Sequence, residues 1–379
     1  MILVNKVILP NSTIGIIGGG QLGRMMAIPA KQMGYKVAVL EPECGGPLSQ
    51  VADYEINAPY DCEEALLRLL NLSDVVTYEF ENIDGNQISR VETKGYLPQG
   101  ERPLLVTQQR DREKKAINDC GFQTAPYERV DNIHDLKQAI EKIGYPCILK
   151  TISGGYDGKG QWTLKSELDL ENVQSVVATT PCILEGFVLF TKEISVIVTR
   201  GTNQQIEVFP VAENIHQNHI LHLSIVPAQI DAKLRAKAEE IARSLIEKLD
   251  FVGTLAIEMF VVGKDLIVNE LAPRPHNSGH YTIDACNVSQ FEQHIRAICG
   301  LPLIKPDLIK PAVMVNLLGQ HLDYALEMWK KPEFSTAKLH LYGKVEAKKN
   351  RKMGHITFAN QCEVELSEQV HQFLNNFPK

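Results

Sequence analysis

Glu258 and Glu270 lie in two apolar segments, "TLAIEMFVV" and "LIVNELA", on either side of the tight turn "GKD". A simple antiparallel hairpin centred on Lys264 sets the two carboxylates directly opposite each other. Cross-strand partners on one face have Cβ atoms about 4.5–5.5 Å apart, and like charges there repel. A divalent cation relieves that repulsion, and Mg2+ in particular takes one or two carboxylates and completes its shell with phosphate oxygens. In this register Asn269 points to the opposite face.

Residues 154–160, "GGYDGKG", place four glycines between two strands. Glycine leaves backbone N–H groups free to approach phosphate oxygens and lets a loop hinge open and shut. A Walker A loop is excluded, because Lys159 is followed by Gly160 and the next segment reads as a strand. Lys150 ends the strand "CILK", from which its ammonium reaches toward phosphates under such a flap. After Glu270 comes "LAPRPHNSGH", where Arg274, His276, Asn277 and His280 crowd a segment too rich in Pro and Gly for regular structure. That composition suits an active-site rim handling a small anion. The tail segment "YGKVEAKKNRKMGH" opposes Lys344, Lys348, Lys349, Arg351 and Lys352 with Glu346 alone. Such a run is either a solvated turn or the cationic seat of one phosphate.

A further glycine pattern, Gly18-x-Gly20-x-x-Gly23, follows the strand "TIGIIG", and Glu41 closes the next strand. Together they resemble a dinucleotide fingerprint, so an NAD-dependent oxidoreductase is one reading. It leaves the carboxylate hairpin and the glycine flap without a use. A strand-to-helix turn of this kind offers its amides to any phosphate.

The elements that position these groups are legible in outline. Through the first hundred residues strand and helix alternate, which predicts an α/β domain with a parallel sheet. "GYLPQGERP" closes it, and strand-loop-strand units and hairpins follow, giving an α+β remainder. With 379 residues and 44% hydrophobic content the chain is too long for one ordinary domain. Its net charge of −7 argues against nucleic-acid or anionic-membrane partners. The eight cysteines are scattered without C-x-x-C, against a zinc or disulfide framework. Neither a signal peptide nor a membrane span is visible, which places the protein in the cytoplasm.

"GGGQLGRM", "YEFENI", "GGYDGKGQW", "NELAPRPHNSGH" and "YGKVEAKKNRKMGH" occur in the order shown by 5-(carboxyamino)imidazole ribonucleotide synthases. Through them the chain resembles that family of the ATP-grasp superfamily over nearly its whole length. The resemblance implies an ATP-grasp fold: a Rossmann-like parallel-sheet domain (1–106), a small glycine-flap lid (107–186), an antiparallel-sheet catalytic part (187–308), and a C-terminal segment packed on it (309–379). It implies an ADP-forming carbon–nitrogen ligase of purine biosynthesis, acting as a homodimer. Such an enzyme uses ATP and Mg2+ to activate bicarbonate as carboxyphosphate, then carboxylates the exocyclic amine of 5-aminoimidazole ribonucleotide. Another ATP-grasp ligase is the alternative within the superfamily.

Residue by residue, the resemblance places Arg110, Lys114 and Lys150 near the nucleotide phosphates. Gly155, Tyr156, Asp157, Gly158, Lys159, Gly160 and Gln161 become the flap that closes on them. Glu185, Gly186, Phe187 and Val188 become the hinge strand whose backbone reads adenine, with Glu193 on the ribose and His216 as a further nucleotide contact. Glu258 and Glu270 become the Mg2+ ligands, with Asn269 beside them, while Arg274 and His276 face bicarbonate and the intermediate. Gly20, Gln21, Leu22, Glu79 and Asn82, with Tyr156, Asp157, Lys344, Arg351 and Lys352, face the ribonucleotide. The chain departs from the family's common pattern in having Lys348 and Lys349-Asn350 where Arg and Pro-Gly are frequent.

Overall fold

Alternating strand and helix in the first hundred residues fold into a four-stranded parallel sheet in the order Tyr54–Ile56, Lys36–Leu40, Thr13–Ile17, Val75–Tyr78. The computed structural model describes residues 6–83, 85–155 and 158–378, so Tyr156 and Asp157 lie outside the described residues. The strand Thr13–Ile17 is buried throughout, as a central parallel strand covered on both faces must be. The helix Gln21–Gln32 buries Leu22, Met25, Met26 and Pro29, the i, i+3, i+4, i+7 stripe of an amphipathic helix. That stripe shares its core with Phe291, Ile295 and Ile298 of the helix Gln290–Ile298, so the parallel sheet is packed onto a much later part of the chain.

A second, antiparallel sheet runs Tyr127–Val130, Cys182–Gly186, Cys147–Thr151, Gln161–Leu164. The last two strands are joined by the glycine flap, with Lys150 opposite Gln161 at its base. The third sheet has nine strands, in the order Asp265–Ala272, Gly253–Val262, Lys192–Arg200, Ala212–Gln217, Ile220–Val226, Ala312–Leu318, Lys352–Ala359, Lys338–Leu341, with Ile206–Val208 on the side of Lys192–Arg200. The C-terminal strands therefore extend the same sheet that carries Glu258 and Glu270. Between Ala212–Gln217 and Ile220–Val226 the turn is Asn218–His219, both at positive φ (+50° and +65°), a conformation that turns usually reserve for glycine or asparagine. Among the described residues no helix is long and apolar enough to cross a membrane.

Candidate active site

The carboxylate hairpin reaches the expected facing pair by an unexpected route. Its turn is the two residues Gly263–Lys264, with Gly263 at φ +62°, and from there Val262 pairs with Asp265 and Met259 with Val268. Continued unbroken, that register would set Glu258 against Asn269 and turn Glu270 to the other side of the sheet. A bulge between Glu258 and Met259 shifts the pairing by one residue, so Glu258 faces Glu270 and Asn269 is the extra residue of the bulge. Asn269 is thus not on the back of a regular strand, as the simple register had it. Burial, reinforced by the charge of Glu270, pushes the Glu258 carboxyl up to about 7.

Cations gather around this pair from the helix Arg110–Asp119, which buries two charged residues, Glu113 and Lys114, together with the apolar Ile117 one turn on. Arg110 lies 3.5 Å from the Glu270 carboxylate and donates to the Gly155 carbonyl of the flap at 3.3 Å. Glu113 accepts the Leu271 amide at 2.7 Å, clamping the backbone just after Glu270. Burial first, then the charge of Glu270, pushes Glu113 up to about 8. Glu185 bridges two lysines, with Lys114 Nζ at 3.4 Å and Lys150 Nζ at 2.9 Å. Burial alone would raise the Glu185 pKa, but the two ammonium groups lower it, while burial lowers that of Lys114. Glu185 is therefore a charged partner in the site through its side chain. The strand carrying it ends at Gly186; Phe187 is exposed, its N–H donating to the Pro146 carbonyl at 3.4 Å, and Val188 lies beyond the strand. At the flap, Gly158 packs against His219, and Gln161 Nε2 lies 3.3 Å from His219 Nδ1. Lys159 and Gly160 complete the tip, Gly160 at φ +70°.

Arg274 reaches across to the first domain, its Nε donating to Glu81 at 2.6 Å. Burial opposes both charges, yet the pairing raises the Arg274 pKa and lowers that of Glu81. His276 Nε2 lies 3.5 Å from the Glu258 carboxylate; burial, then Arg274 and Lys352, hold its pKa well below 6.5, so the ring is neutral. Gln290 fixes its backbone from both sides, accepting from the His276 N–H and donating to its carbonyl. Glu193 and His216 form a hydrogen-bonded pair on neighbouring strands; burial works against charging the imidazole, but Glu193 and Glu258 raise its pKa. Lys352 acts electrostatically on Glu258, His216 and His276 alike, which brings the C-terminal strands to the carboxylates. Lys344 Nζ donates to the Lys352 carbonyl and Arg351 to that of Glu346. Lys348 is exposed and paired with Glu346. Asn350 holds φ +64°, the left-handed conformation that glycine and asparagine adopt most readily.

The glycine loop of the first domain differs from the phosphate cradle expected. Glu79 is buried and accepts the Gly20 N–H at 2.5 Å and the Gly23 N–H at 2.6 Å, while Glu41 accepts the Gly19 N–H at 2.6 Å and the Tyr60 hydroxyl at 2.6 Å. Three of the amides that a pyrophosphate would use, those of Gly19, Gly20 and Gly23, are filled by the protein's own carboxylates. Gln21 and Leu22 open the helix beside them, and Gln50 ties this region to the tail by donating to the Gly343 carbonyl at 2.7 Å. Asn82 is exposed and lines one cleft together with Glu81, Arg110, Glu113, Gly155 and Glu270. Glu81, Glu113, Gln290 and His219 were not singled out from the sequence. Helical spacing from Arg110, three residues earlier, is the available signal for Glu113; the others are brought in by long-range packing.

A parallel-sheet domain, a lid with a glycine flap, and an antiparallel sheet carrying paired carboxylates beside buried lysines define an ATP-grasp enzyme. A ribonucleotide synthetase preATP-grasp domain model matches residues 11–108, an ATP-grasp domain model residues 115–291, and a phosphoribosylaminoimidazole carboxylase C-terminal domain model residues 312–369. The N5-carboxyaminoimidazole ribonucleotide synthase of Bacillus subtilis (strain 168) is 53% identical over 367 residues, covering 96% of each chain. A crystal structure of an N5-carboxyaminoimidazole ribonucleotide synthetase in complex with ADP superimposes with a TM-score of 0.94 at 52% identity, covering 97% of each chain. The Aspergillus clavatus synthase, solved with ADP and 5-aminoimidazole ribonucleotide, gives a TM-score of 0.90 at 28% identity, covering 97% of this chain and 99% of that one. The chain belongs to the N5-carboxyaminoimidazole ribonucleotide synthase family, whose members are ADP-forming ligases.

Proposed function

We propose that the protein carboxylates the exocyclic amine of 5-aminoimidazole ribonucleotide, using ATP and bicarbonate through carboxyphosphate, as a step of purine biosynthesis in the cytoplasm. The observation that carries this reading is the Glu258–Glu270 pair, brought into register by the bulge and flanked by Arg110, Arg274 and His276. Two facing carboxylates, one with a strongly raised pKa, are a donor set that fits Mg2+. When bound, Mg2+ neutralises charge on the transferring phosphoryl group. Lys114 and Lys150 exchange Glu185 for phosphate oxygens or share them with it, and Arg110 couples flap closure to the Glu270 end of the site. Phosphoryl transfer to bicarbonate joins two anions, so such positioning and neutralisation carry most of the catalysis. Arg274, presented by Glu81, holds the carboxylate end of the intermediate, and the neutral His276 offers a hydrogen bond without adding charge. Gly20, Gln21, Leu22, Glu79, Asn82, Lys344, Arg351 and Lys352 form the ribonucleotide side, where Gln50 joins the glycine loop to the cationic turn. The parts 1–106, 107–186, 187–308 and 309–379 serve as ribonucleotide domain, lid, catalytic sheet and its extension, in a homodimer.

ADP and carboxylated ribonucleotide are measured with 5-aminoimidazole ribonucleotide and bicarbonate omitted in turn. Both products are expected to fall to background when either is missing. ADP release indifferent to the ribonucleotide overturns the substrate assignment.

A further inference from the structure

Away from the carboxylate pair, three groups with metal-ligating atoms meet at the seam between the C-terminal strands and the segment that follows the Arg274 loop. His340, on the edge strand Lys338–Leu341, stands directly opposite His355 on Lys352–Ala359, and their rings stack at 4.6 Å with planes 17° apart. Asp284, in the short helix Thr282–Ala285, places Oδ2 2.8 Å from His340 Nε2. One donor atom from each of the three residues lies within 4.8 Å of the other two. None of these residues belongs to the nucleotide or ribonucleotide sets.

His355 supplies the second observation. It is wholly buried, its Nδ1 is 3.0 Å from the Tyr342 hydroxyl, and its Nε2 has no hydrogen-bond partner among the described residues. An unpaired ring nitrogen in a buried site costs free energy that a ligand would recover. Tyr342 is placed as an orienting group: with Nδ1–H donated to its oxygen, Nε2 carries the lone pair that a metal needs.

We propose that Asp284, His340 and His355 form a site for a borderline divalent transition ion, with Zn2+ the best match, which ties the C-terminal strands to the segment behind the active-site loop. Two imidazoles and one carboxylate suit Zn2+, whereas Mg2+ prefers oxygen donors throughout. Ligand bonds of about 2.0–2.2 Å in a tetrahedron require donors roughly 3.4 Å apart. The donors, now within 4.8 Å of one another, must draw together to that size on binding, and His340, 29% exposed on the sheet's edge strand, is the ligand with the most room to move. The same exposure gives the ion an entry path and leaves the fourth position to water. Binding replaces the hydrogen bond between His340 and Asp284 and releases at most the proton it contains.

The test uses full-length protein stripped of metal, with exposed Cys44 and Cys362 changed to Ser and Mg2+ in excess to cover the carboxylate hairpin. Zn2+ binding is followed by equilibrium dialysis with metal analysis, by thermal unfolding, and by the visible spectrum of Co2+ as a substitute probe. One equivalent is expected to bind and to raise the unfolding temperature, since the ion binds only the folded chain. His340→Gln and Asp284→Asn, at positions partly open to solvent, should each weaken binding by at least about tenfold and remove the Co2+ spectrum. Their metal-free unfolding temperatures, compared with that of the parent, separate loss of the site from loss of the fold. Absence of Zn2+ binding in the parent, or equal binding in both variants, overturns the proposal and leaves an Asp–His hydrogen bond stacked on a buried histidine.

Discussion

Replacing Glu258 with Gln keeps the shape of the side chain and removes one of two facing charges. Burial and then Glu270 move the Glu258 carboxyl from an ordinary 4.5 to about 7, which at 1.36 kcal/mol per pH unit corresponds to about 3 kcal/mol. The side chain is 24% exposed, and water reduces that to roughly 1–3 kcal/mol. Because the folded-state pKa lies above the unfolded one, this group's contribution to stability is fully present below pH 4.5 and is lost as pH rises through 7. Without Mg2+, the variant should therefore be more stable than wild type at pH 8, and the advantage should shrink toward zero as pH falls to 4.5. Glu113 is raised in the same direction but is present in both proteins. Saturating Mg2+ should reverse the order, since it stabilises only the chain that binds it. Urea unfolding at both pH values, with chelator and with Mg2+, reads all four conditions. A stability difference that does not change with pH, or a variant less stable at pH 8 without metal, refutes the account of the pair.

On the role proposed for Lys150, Lys150→Ala removes a charge-assisted phosphate contact typically worth ~1.5–3 kcal/mol, so the ATP concentration for half-maximal rate should rise roughly 10- to 160-fold. An unchanged value in steady-state kinetics means that Lys150 serves Glu185 alone. Gly23→Ala would set a Cβ 2.9 Å from the Gly18 carbonyl oxygen and 2.9 Å from Leu48. Overpacking of that kind costs about 1–3 kcal/mol, visible as a lowered unfolding midpoint; an unchanged midpoint shows that the loop relaxes freely. NADH should show no saturable binding in a fluorescence titration, because Glu41 and Glu79 already occupy the loop amides. Saturable binding contradicts that occupancy.

The amino-acid sequence by itself determined what local periodicity and turn chemistry can specify. The parallel α/β half follows from alternating strand and helix, the flap from four glycines between two strands, and the carboxylate hairpin from two apolar runs around a tight turn. Even the facing of Glu258 and Glu270 was legible, although a regular hairpin on the observed Gly263–Lys264 turn would have missed it by one residue. The bulge that restores it lies in the pairing with Asp265–Ala272, while Gly253–Val262 keeps an unbroken register with Lys192–Arg200 on its other side, and no local pattern encodes where it falls. Tertiary structure alone decided the charge pairing. Glu81 meets Arg274 across 193 positions of chain, and Glu185 reaches Lys114 and Lys150 from a different element. Glu79, 56 positions beyond Gly23, fills the loop that reads as a phosphate cradle. A charged side chain in a sequence shows that it needs a partner once buried, and only the folded chain, by bringing distant segments within a few ångströms, determines which partner that is.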